Sequence, residues 1–367
     1  MGWRVSDGEA NMYDPVTTQS KSVMASFKLF SRFYDLEGAV YHGGAIAYAL
    51  LGYAAGFAGL FADSLLINGF ATLLLSHAMI IAGYLIHEAG HNTVFRTNQD
   101  NARLGAFLSH LCGSSYGTFE DMRFKHFRHH VDIGDFAWFD SDGWFARHPI
   151  VLKGIRVLEW YYVPAHEFIM HGVMLLTSFV IPERRDQRLR NVAVIIMRGG
   201  LFLLLLIYAP KVALLYFVAY SLMLIVFRFM DAVQHDYGST PTLFDKAPGP
   251  RKGDLVWEQA HSFSNPLSLE FEKLNWLVLN FGFHNAHHAK PTTPWFRLPA
   301  LHREMFADNP NAVIAFSAQL KIYHTGRVYR VARLADAPDE PVGPAFLEAA
   351  QLARISGGNA ANFLTSF

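Results

Sequence analysis

The sequence predicts an all-α integral membrane protein, with four transmembrane helices in two hairpins and a cytoplasmic helical cap that carries a histidine-ligated metal site. Long apolar stretches, positive charges beside them and clustered histidines support this prediction. Of the 367 residues, 51% are hydrophobic and only 17% are charged, whereas about 25% are charged in a typical soluble protein. Because the apolar residues lie in long blocks, membrane spans explain the composition better than a large soluble core does.

The first predicted hairpin contains the spans at about 38–62 and 64–86. Neither stretch contains an aspartate, glutamate, lysine or arginine. Both exceed the length of about 20 residues that a helix needs to cross the hydrocarbon core of a bilayer. Only Asp63 lies between them, so we expect a tight turn to join the two helices.

The second predicted hairpin contains the spans at 192–209 and 212–230, with Pro210-Lys211 as their junction. Each of these two stretches contains a single arginine. Both are otherwise apolar and are close to the length that a transmembrane helix requires. We therefore expect a second pair of helices that runs beside the first.

Positive charge beside the spans predicts their orientation, because cytoplasmic loops carry an excess of lysine and arginine. The stretch 183–190 contains four arginines, whereas the two hairpin tips contain only one acid and one lysine. The N-terminal arm (1–37), the middle region and the C-terminal tail (326–367) are therefore expected in the cytoplasm, with a membrane domain at 38–325. The tips are expected to face the opposite side.

Half of the 18 histidines lie in four places beside these spans. The motifs are HEAGH (87–91), HFRHH (126–130), a lone histidine at 235 and HNAHH (284–288). Residues three or four positions apart share a face of a helix, so each motif can direct two or three imidazoles at one point. Two copies of HxxHH are not expected by chance, which favours shared metal ligation. The candidate ligands are His87, His91, His126, His129, His130, His235, His284, His287 and His288.

A shared metal site constrains two further apolar runs, at 104–118 and 163–181. The predicted hairpins bring His87, His91 and His235 to the cytoplasmic side, and the other two clusters follow on that side. One additional crossing would place the first two clusters and the last one on opposite faces of the membrane. Both runs are therefore expected to be interfacial, re-entrant or packed against the bundle.

The number of imidazoles indicates two metal ions. A zinc ion binds about four ligands in proteins, so nine imidazoles fit two ions with four or five ligands each. Cys112 is the only cysteine, which leaves imidazole and carboxylate as the ligand types. Imidazole suits iron, zinc, copper and nickel, so ligand type alone does not select one of them.

The HEAGH motif by itself matches the zinc-protease signature, in which two histidines bind zinc and Glu88 is the general base. A membrane zinc metalloprotease is therefore one alternative, but it has no use for two HxxHH clusters. With those clusters as ligands, Glu88 is expected to orient a ligand at the catalytic site. A non-enzymatic metal carrier or sensor is a second alternative. It would need ligands along a path through the spans, whereas the clusters lie outside them.

The succession of HxxxH, HxxHH, a lone histidine after the last span and HxxHH around two hairpins resembles the membrane fatty-acid desaturase and hydroxylase superfamily. The resemblance covers roughly residues 38–300. It implies two iron ions (a di-iron centre) held by the nine histidines, O2 as oxidant and cleavage of an unactivated aliphatic C–H bond. It also implies an external electron donor, either ferredoxin or cytochrome b5 with a reductase.

Two features refine this resemblance. Animal-type acyl-CoA desaturases have an asparagine one turn before the lone histidine, and the matching residue here is Asp231. We expect Asp231 to bind metal or orient His235 at the catalytic site, with a plain helix-end acid as the alternative. The runs DAVQHD (231–236) and FHNAHHAKP (283–291) are similar to a bacterial branch that includes membrane-bound fatty-acid decarboxylases forming terminal alkenes. Desaturation and oxidative decarboxylation to a 1-alkene are both predicted, with hydroxylation as an alternative on the same scaffold.

The expected substrate is a fatty acid or an acyl derivative within membrane lipid. The 31 phenylalanines allow an apolar tunnel among the spans, although most are expected to face lipid or core. The carboxylate of a free acid would require a cation, and the candidates are Arg123, Arg128 and Arg198, with Lys125 and Lys290 as further ones. For Arg198, an internal ion pair or a side chain that extends to the interface is the alternative. The net charge of zero gives no indication of a nucleic-acid partner.

Overall fold

The computed structural model describes residues 31–355 except 114, 238–240, 246, 250, 310–311, 330 and 332–340. Over these residues all regular structure is helical, and the only β-type pairings are isolated bridges. The all-α prediction is thus confirmed for the part that the structure describes. Much of the predicted arm at 1–37 and of the tail at 326–367 lies outside these residues, so the domain boundaries stay predictions.

One helix, α2, is central to the bundle, because it packs against α1, α3 and α10. Short 3₁₀ turns lie at Pro182–Gln187, Glu272–Val278 and Trp295–Arg297, and a π turn lies at Ile195–Gly199. The α-helices in the described residues are α1 (Leu36–Gly59), α2 (Leu65–Gly90), α3 (Asn98–Leu111), α4 (Phe119–Asp132), α5 (Ser141–Arg147), α6 (Pro149–Trp160), α7 (Ala165–Val180), α8 (Arg188–Val194), α9 (Gly200–Tyr208), α10 (Pro210–Asp231), α11 (Leu255–Ala260), α12 (His284–Ala289), α13 (Leu298–Met305), α14 (Phe316–Gly326) and α15 (Pro344–Gln351).

Helices α1 and α2 run antiparallel and approach each other closely. A Cβ atom at Gly56 would lie 2.8 Å from the backbone nitrogen of Leu75, so only glycine allows this approach. The amide of Asn68 donates to three carbonyl groups at the end of α1 and in the following turn, at 3.0–3.2 Å. It therefore satisfies carbonyls that a helix C-terminus leaves without partners.

Three helical segments are long and apolar enough to cross a membrane: Leu65–Gly90, Pro182–Tyr208 and Pro210–Asp231. They cover three of the four predicted spans. The remaining predicted span, at 38–62, forms the 24-residue helix α1. Its glycines, tyrosines and His42 lower its mean hydropathy, so it is not among the three. A crossing by α1 stays a prediction.

The helical segment that contains the third predicted span begins before residue 192. The chain is helical from Pro182, through a 3₁₀ turn, α8, a π turn and α9, to Tyr208. The predicted span is the apolar part of this segment, and the charged stretch at 183–190 precedes it and binds protein groups. Arg184 donates to Asp121 at 2.8 Å, and Arg188 donates to the carbonyl of Ser178 at 2.8 Å.

The turns of the two helix pairs lie together. The Lys211 ammonium group, at the start of α10, donates to the carbonyl of Ala62 between α1 and α2 at 2.6 Å. The two turns therefore occupy the same end of the bundle. The residues that follow α2 and α10 then emerge together at the other end, which places the histidine motifs near one another.

Helix α7 covers most of the apolar run at 163–181. It has 16 residues and rises about 24 Å, less than the hydrocarbon thickness of about 30 Å. Arg228 of α10 lies between the buried carboxylates of Glu159 and Glu167, at 2.6 and 3.1 Å, and holds α7 against the bundle. The expectation that this run does not cross stays a prediction, and the short helix supports it.

The turn between α3 and α4, at 112–118, is held by two arginines. Arg198 donates to the carbonyl of His110 at 2.8 Å. Arg190 donates to the carbonyls of Ser115 and Gly117, both at 2.7 Å. Thr118 and Asp121 then form a capping box that begins α4, as such reciprocal bonds typically do. These contacts orient α4 and the histidine motif that it carries.

Candidate metal centre

The nine predicted histidines converge from four elements. His87 lies in the last turn of α2 and His91 is its C-cap. The HFRHH motif lies at the end of α4, the lone His235 follows α10, and the HNAHH motif forms most of α12. Asn285 fixes α12, since its amide donates to the carbonyl of Ser262 at 2.6 Å. Ser262 in turn forms an isolated bridge with His235.

The first cluster, called group A here, consists of His87, His91, His126 and His287. One ring nitrogen from each lies within 4.8 Å of the others. The Nε2 atoms of His87 and His287 are 3.1 Å apart, and those of His91 and His126 are 2.6 Å apart. The four imidazoles therefore direct the same ring position at one point.

The second cluster, called group B here, consists of His129, His235, His284 and His288. It meets the same 4.8 Å criterion. The Nε2 atoms of His235 and His284 are 2.6 Å apart, and those of His129 and His288 are 3.3 Å apart. Group B thus repeats the arrangement of group A with residues from α4, α12 and the segment after α10.

His130 lies between the two groups. Its Nε2 atom is 3.1 Å from the Nε2 atoms of His126 and His287 in group A. Its ring centroid is 4.3 Å from that of His288 in group B. A ring nitrogen of His130 also lies within 4.8 Å of ligand atoms of His288 and Glu258. The nine imidazoles therefore form one continuous cluster with two centres, and His130 adjoins both of them.

Facing Nε2 atoms fit a metal better than they fit hydrogen bonding. A neutral imidazole has one donor and one acceptor nitrogen, so one Nε2 atom of His130 cannot form ordinary hydrogen bonds to two others. Ligand nitrogens at about 2.1 Å from one ion lie about 3 Å apart at neighbouring positions. The observed spacings of 2.6–3.3 Å fall around this distance, so the residues present fit metal ions.

The charge state of the imidazoles also suits metal binding. Burial, followed by the proximity of other histidines, lowers the pKa of His91 to about 3 and that of His287 well below its ordinary value. Burial lowers the pKa of His235 to about 3 as well. At neutral pH these side chains are uncharged, and each has a lone pair for a cation.

Contacts on Nδ1 orient several rings so that Nε2 faces the centre. His129 Nδ1 donates to the carbonyl of Gly134 at 3.0 Å, and His288 Nδ1 donates to the Glu258 carboxylate at 2.7 Å. His235 Nδ1 lies 3.3 Å from the Ser262 hydroxyl. Such partners fix the tautomer and orientation of metal-ligating histidines.

Glu258 is a site residue that the motifs did not reveal. Its side chain is 2% exposed, and burial raises its pKa to about 7. It lies in α11, outside every histidine motif, and reaches His288 through the packing of α11 on α12. It lies 26 residues before His284, and no local signal identifies it, because burial is not visible in the sequence.

Glu88 is buried beside group A rather than free to act as a base. Its carboxylate accepts hydrogen bonds from the Thr93 hydroxyl at 2.7 Å and from the Trp295 backbone N–H at 3.1 Å. It lies 3.9 Å from His87 Nδ1. These contacts, together with four imidazoles in group A, disfavour a zinc protease, which needs an open metal position. The role predicted for Glu88, to orient a ligand, stays a prediction.

The other predicted catalytic carboxylate, Asp231, is the last residue of α10. It is half-buried and belongs to neither group A nor group B. His235, which it was expected to support, is instead bridged to Ser262. A catalytic role for Asp231 therefore stays a prediction.

The three arginines predicted to bind a carboxylate have protein partners. Arg128 pairs with Asp132 and donates to the carbonyls of Asp245 and Ala247. Arg123 donates to the side chain of Asn98. Arg198 donates to the backbone carbonyl of His110, and the alternatives considered for it, an ion pair or an extended side chain, stay open. Their role in substrate binding stays a prediction.

A small cavity adjoins group A, with room for about one water molecule. The residues that line it are Tyr84, His87, Glu88, Leu279, Phe281, His287 and Leu298. All seven are buried, so the cavity is an internal void beside the imidazoles of group A.

Comparison with known proteins identifies the family. The family model described as fatty acid desaturase matches residues 63–319, which is well over half of the 367 residues. No curated protein matches the chain. The matched region contains all nine histidines and the three segments that are long and apolar enough to span a membrane. The resemblance inferred from the histidine motifs is confirmed, and the chain belongs to the fatty acid desaturase family, whose members are membrane oxidoreductases that act on fatty acyl chains.

Proposed function

We propose that the protein is a di-iron oxidase that uses O2 and external electrons to remove hydrogen from the aliphatic chain of a fatty acid or acyl derivative. The observation that carries this proposal is the pair of adjoining groups A and B with His130 between them. Group A with His130 would hold one iron, and group B would hold the other. When bound, the irons supply the redox chemistry by which O2 oxidises an unactivated C–H bond.

The protein contributes placement and exclusion of water. Leu279, Phe281 and Leu298 line the small cavity beside group A, and their side chains form no hydrogen bonds. Phe281 also packs against His87, with ring centroids 5.2 Å apart. An alkyl chain that reaches this apolar side of group A would lie next to the imidazoles, and the position of its carbons would select the hydrogen that is removed.

Positioning also decides between the two predicted products. Loss of a second hydrogen gives an alkene, whereas loss of CO2 after attack beta to a free carboxylate gives a terminal alkene. The protein contacts of Arg123, Arg128 and Arg198 leave further guanidinium donors for a carboxylate, so these contacts do not rank the two products. Desaturation and oxidative decarboxylation are therefore both proposed, and product analysis distinguishes them.

Product analysis on the purified chain tests the proposal. The protein in lipid nanodiscs receives ferredoxin, its reductase, NADPH and O2, with either a free fatty acid or the matching acyl-CoA. Products are identified by gas chromatography with mass detection, and iron is measured on the same sample. An unsaturated acid of unchanged length means desaturation, and a 1-alkene one carbon shorter means decarboxylation.

A matched pair of histidine variants provides the control. His284→Ala removes an imidazole of group B, whereas His110→Ala removes an exposed imidazole outside both groups. We expect the first to lose iron and product and the second to retain both. One zinc ion in the wild-type protein, with no oxidised lipid product from any substrate, would contradict the proposal.

A further inference from the structure

Group B has an aromatic connection toward the protein surface. The ring centroids of His235 and Tyr237 are 4.5 Å apart. Tyr237 in turn stacks on Trp257, with centroids 5.5 Å apart and an interplanar angle of 30°. The Tyr237 hydroxyl is 3.1 Å from the Ser262 hydroxyl, which also contacts His235. Two short steps thus lead from an imidazole of group B to a half-exposed indole.

The surface around this indole combines apolar and basic side chains. Leu255 and Val256, in the first turn of α11, are 65% and 84% exposed. Arg251 lies over the Trp257 ring, with its guanidinium carbon 5.1 Å from the ring centroid, and Lys252 is also exposed. The name α11 face is used below for Arg251, Lys252, Leu255, Val256 and Trp257.

The α11 face and its charged neighbours have a net charge of +1. Lys252 pairs with Asp132 at 3.3 Å, and Asp132 is shared with a second cation, Arg128. Asp254, the N-cap of α11, accepts from the Trp257 backbone N–H at 3.0 Å and keeps its negative charge. Arg251, Lys252 and Arg128 therefore outnumber Asp132 and Asp254 by one charge. An apolar centre with a charged rim is the usual form of a protein docking site, and these charges favour an acidic partner.

Group A also has an aromatic neighbour toward the surface, but a more distant one. The ring centroids of His91 and Phe127 are 6.4 Å apart, and Phe127 is 40% exposed. Group B adjoins Tyr237 through two imidazoles, with centroid distances of 4.5 Å to His235 and 5.7 Å to His129. The closer aromatic connection therefore leads to group B.

We propose that the α11 face docks an acidic one-electron carrier protein of the ferredoxin type, and that Trp257 and Tyr237 carry its electrons to group B. This inference rests on the proposed function. In each event the carrier is oxidised by one electron and one iron is reduced by one. No bond forms or breaks in the two rings. They shorten the distances over which the electron tunnels between the carrier and group B.

Two changes separate docking from electron transfer. The double variant Arg251→Glu/Lys252→Glu reverses the charge of the α11 face, and Trp257→Leu removes the aromatic ring. The control Arg147→Glu/Lys153→Glu reverses two exposed cations in α5 and α6. Trp257→Phe restores a smaller ring at the same position.

The readouts are carrier binding, iron content and the rate of iron reduction. Binding of ferredoxin to the nanodisc protein is measured by calorimetry at two salt concentrations, and reduction is followed by stopped flow with reduced ferredoxin or dithionite. We expect charge reversal to weaken binding about tenfold or more at low salt and less at high salt. We expect Trp257→Leu to bind normally but to slow reduction by ferredoxin about tenfold or more, with partial recovery in Trp257→Phe. Iron content and reduction by dithionite should not change.

Three outcomes would overturn the inference. Charge reversal at the α11 face could weaken ferredoxin binding no more than the control does. Trp257→Leu could accept electrons from ferredoxin at the wild-type rate. The α11 face could bind anionic vesicles and not ferredoxin, which would make it a membrane contact. If the wild-type chain holds no iron yet binds ferredoxin through this face, the proposed function fails while the docking site stands, so the two failures are distinguishable.

Discussion

At the residue scale, the site depends on which ring nitrogen of each histidine faces the centre. In groups A and B the close contacts are between Nε2 atoms. Partners on Nδ1 enforce this choice for His129, His235 and His288. The sequence supplied the histidines through their spacing, but not the partners on the opposite ring nitrogen. Two predictions concern single side chains of this kind.

The first prediction concerns the contact between Glu258 and His288. Glu258→Ala should lower iron affinity by about 10–100-fold, because it removes the acceptor for His288 Nδ1. Glu258→Gln keeps an acceptor oxygen and should remain within a few fold of the wild type. Competition with a chelator at fixed pH measures both affinities. Equal affinities for the alanine and glutamine variants would show that this contact does not orient the ligand.

The second prediction concerns pH and the metal-free protein. Burial lowers the pKa of His91 to about 3, whereas an unfolded histidine titrates near 6.5. The unfolded state therefore binds more protons below about pH 6.5, and folding stability is lost as the pH falls through that value. For His91 alone the loss at pH 5 is about 2 kcal/mol.

Thermal unfolding of chelator-treated protein between pH 7.5 and 5, in the same detergent throughout, checks the second prediction. The wild-type midpoint should fall with pH, and His91→Asn should fall less steeply, since asparagine does not titrate in this range. Identical slopes for the two proteins would contradict it. Iron should also dissociate over this pH range, because protons compete for the same lone pairs.

At the scale of elements, backbone approach and carbonyl capping position the helices that carry the histidines. Helix α2 carries His87 and packs closely on α1 at Gly56. Helix α4 carries three of the ligands, and the turn before it is bound by Arg190 and Arg198. Neither contact involves a ligand, yet both determine where the ligands lie.

Substitution of two glycines in the same helix pair tests the close approach. Gly56→Ala would place a Cβ 2.8–2.9 Å from backbone and side-chain atoms of Leu75, and we expect a loss of about 1–3 kcal/mol in stability. Gly69→Ala in α2 has no atom within 4 Å of the added Cβ and should be neutral or slightly stabilising. Thermal unfolding in detergent compares them. A Gly56→Ala protein as stable as Gly69→Ala would refute the packing argument.

A variant of Arg198 tests whether this side chain stabilises the fold or binds the substrate. Arg198→Gln should lower stability by about 1–3 kcal/mol, because it weakens the bond to the His110 carbonyl. KM should change little, since the described contacts of Arg198 are with protein groups. A KM raised for a free fatty acid but not for its methyl ester would instead assign Arg198 to the substrate carboxylate.

At the scale of the whole molecule, the sequence located the converging histidines better than it located the contacts between distant elements. Histidine spacing is a local signal, so both HxxHH motifs and the lone His235 were identified directly. Contacts between distant elements, such as Glu258 with His288 or Lys211 with Ala62, have no local signal. The helical segment that precedes the third predicted span, from Pro182, was not foreseen for the same reason, because the partner of Arg184 is Asp121 in another helix.

The position of His130 has a consequence for how the chain acquires its metal. An ion in group A would draw His130 toward His126 and His287, and this would fix the neighbouring end of α4, which also carries His129 of group B. Binding of the first ion would then lower the conformational-entropy cost of binding the second ion, which is positive cooperativity between the two sites. At limiting iron the population should divide into empty and fully loaded molecules. An average of one iron per chain would then describe a mixture in which half of the molecules are complete.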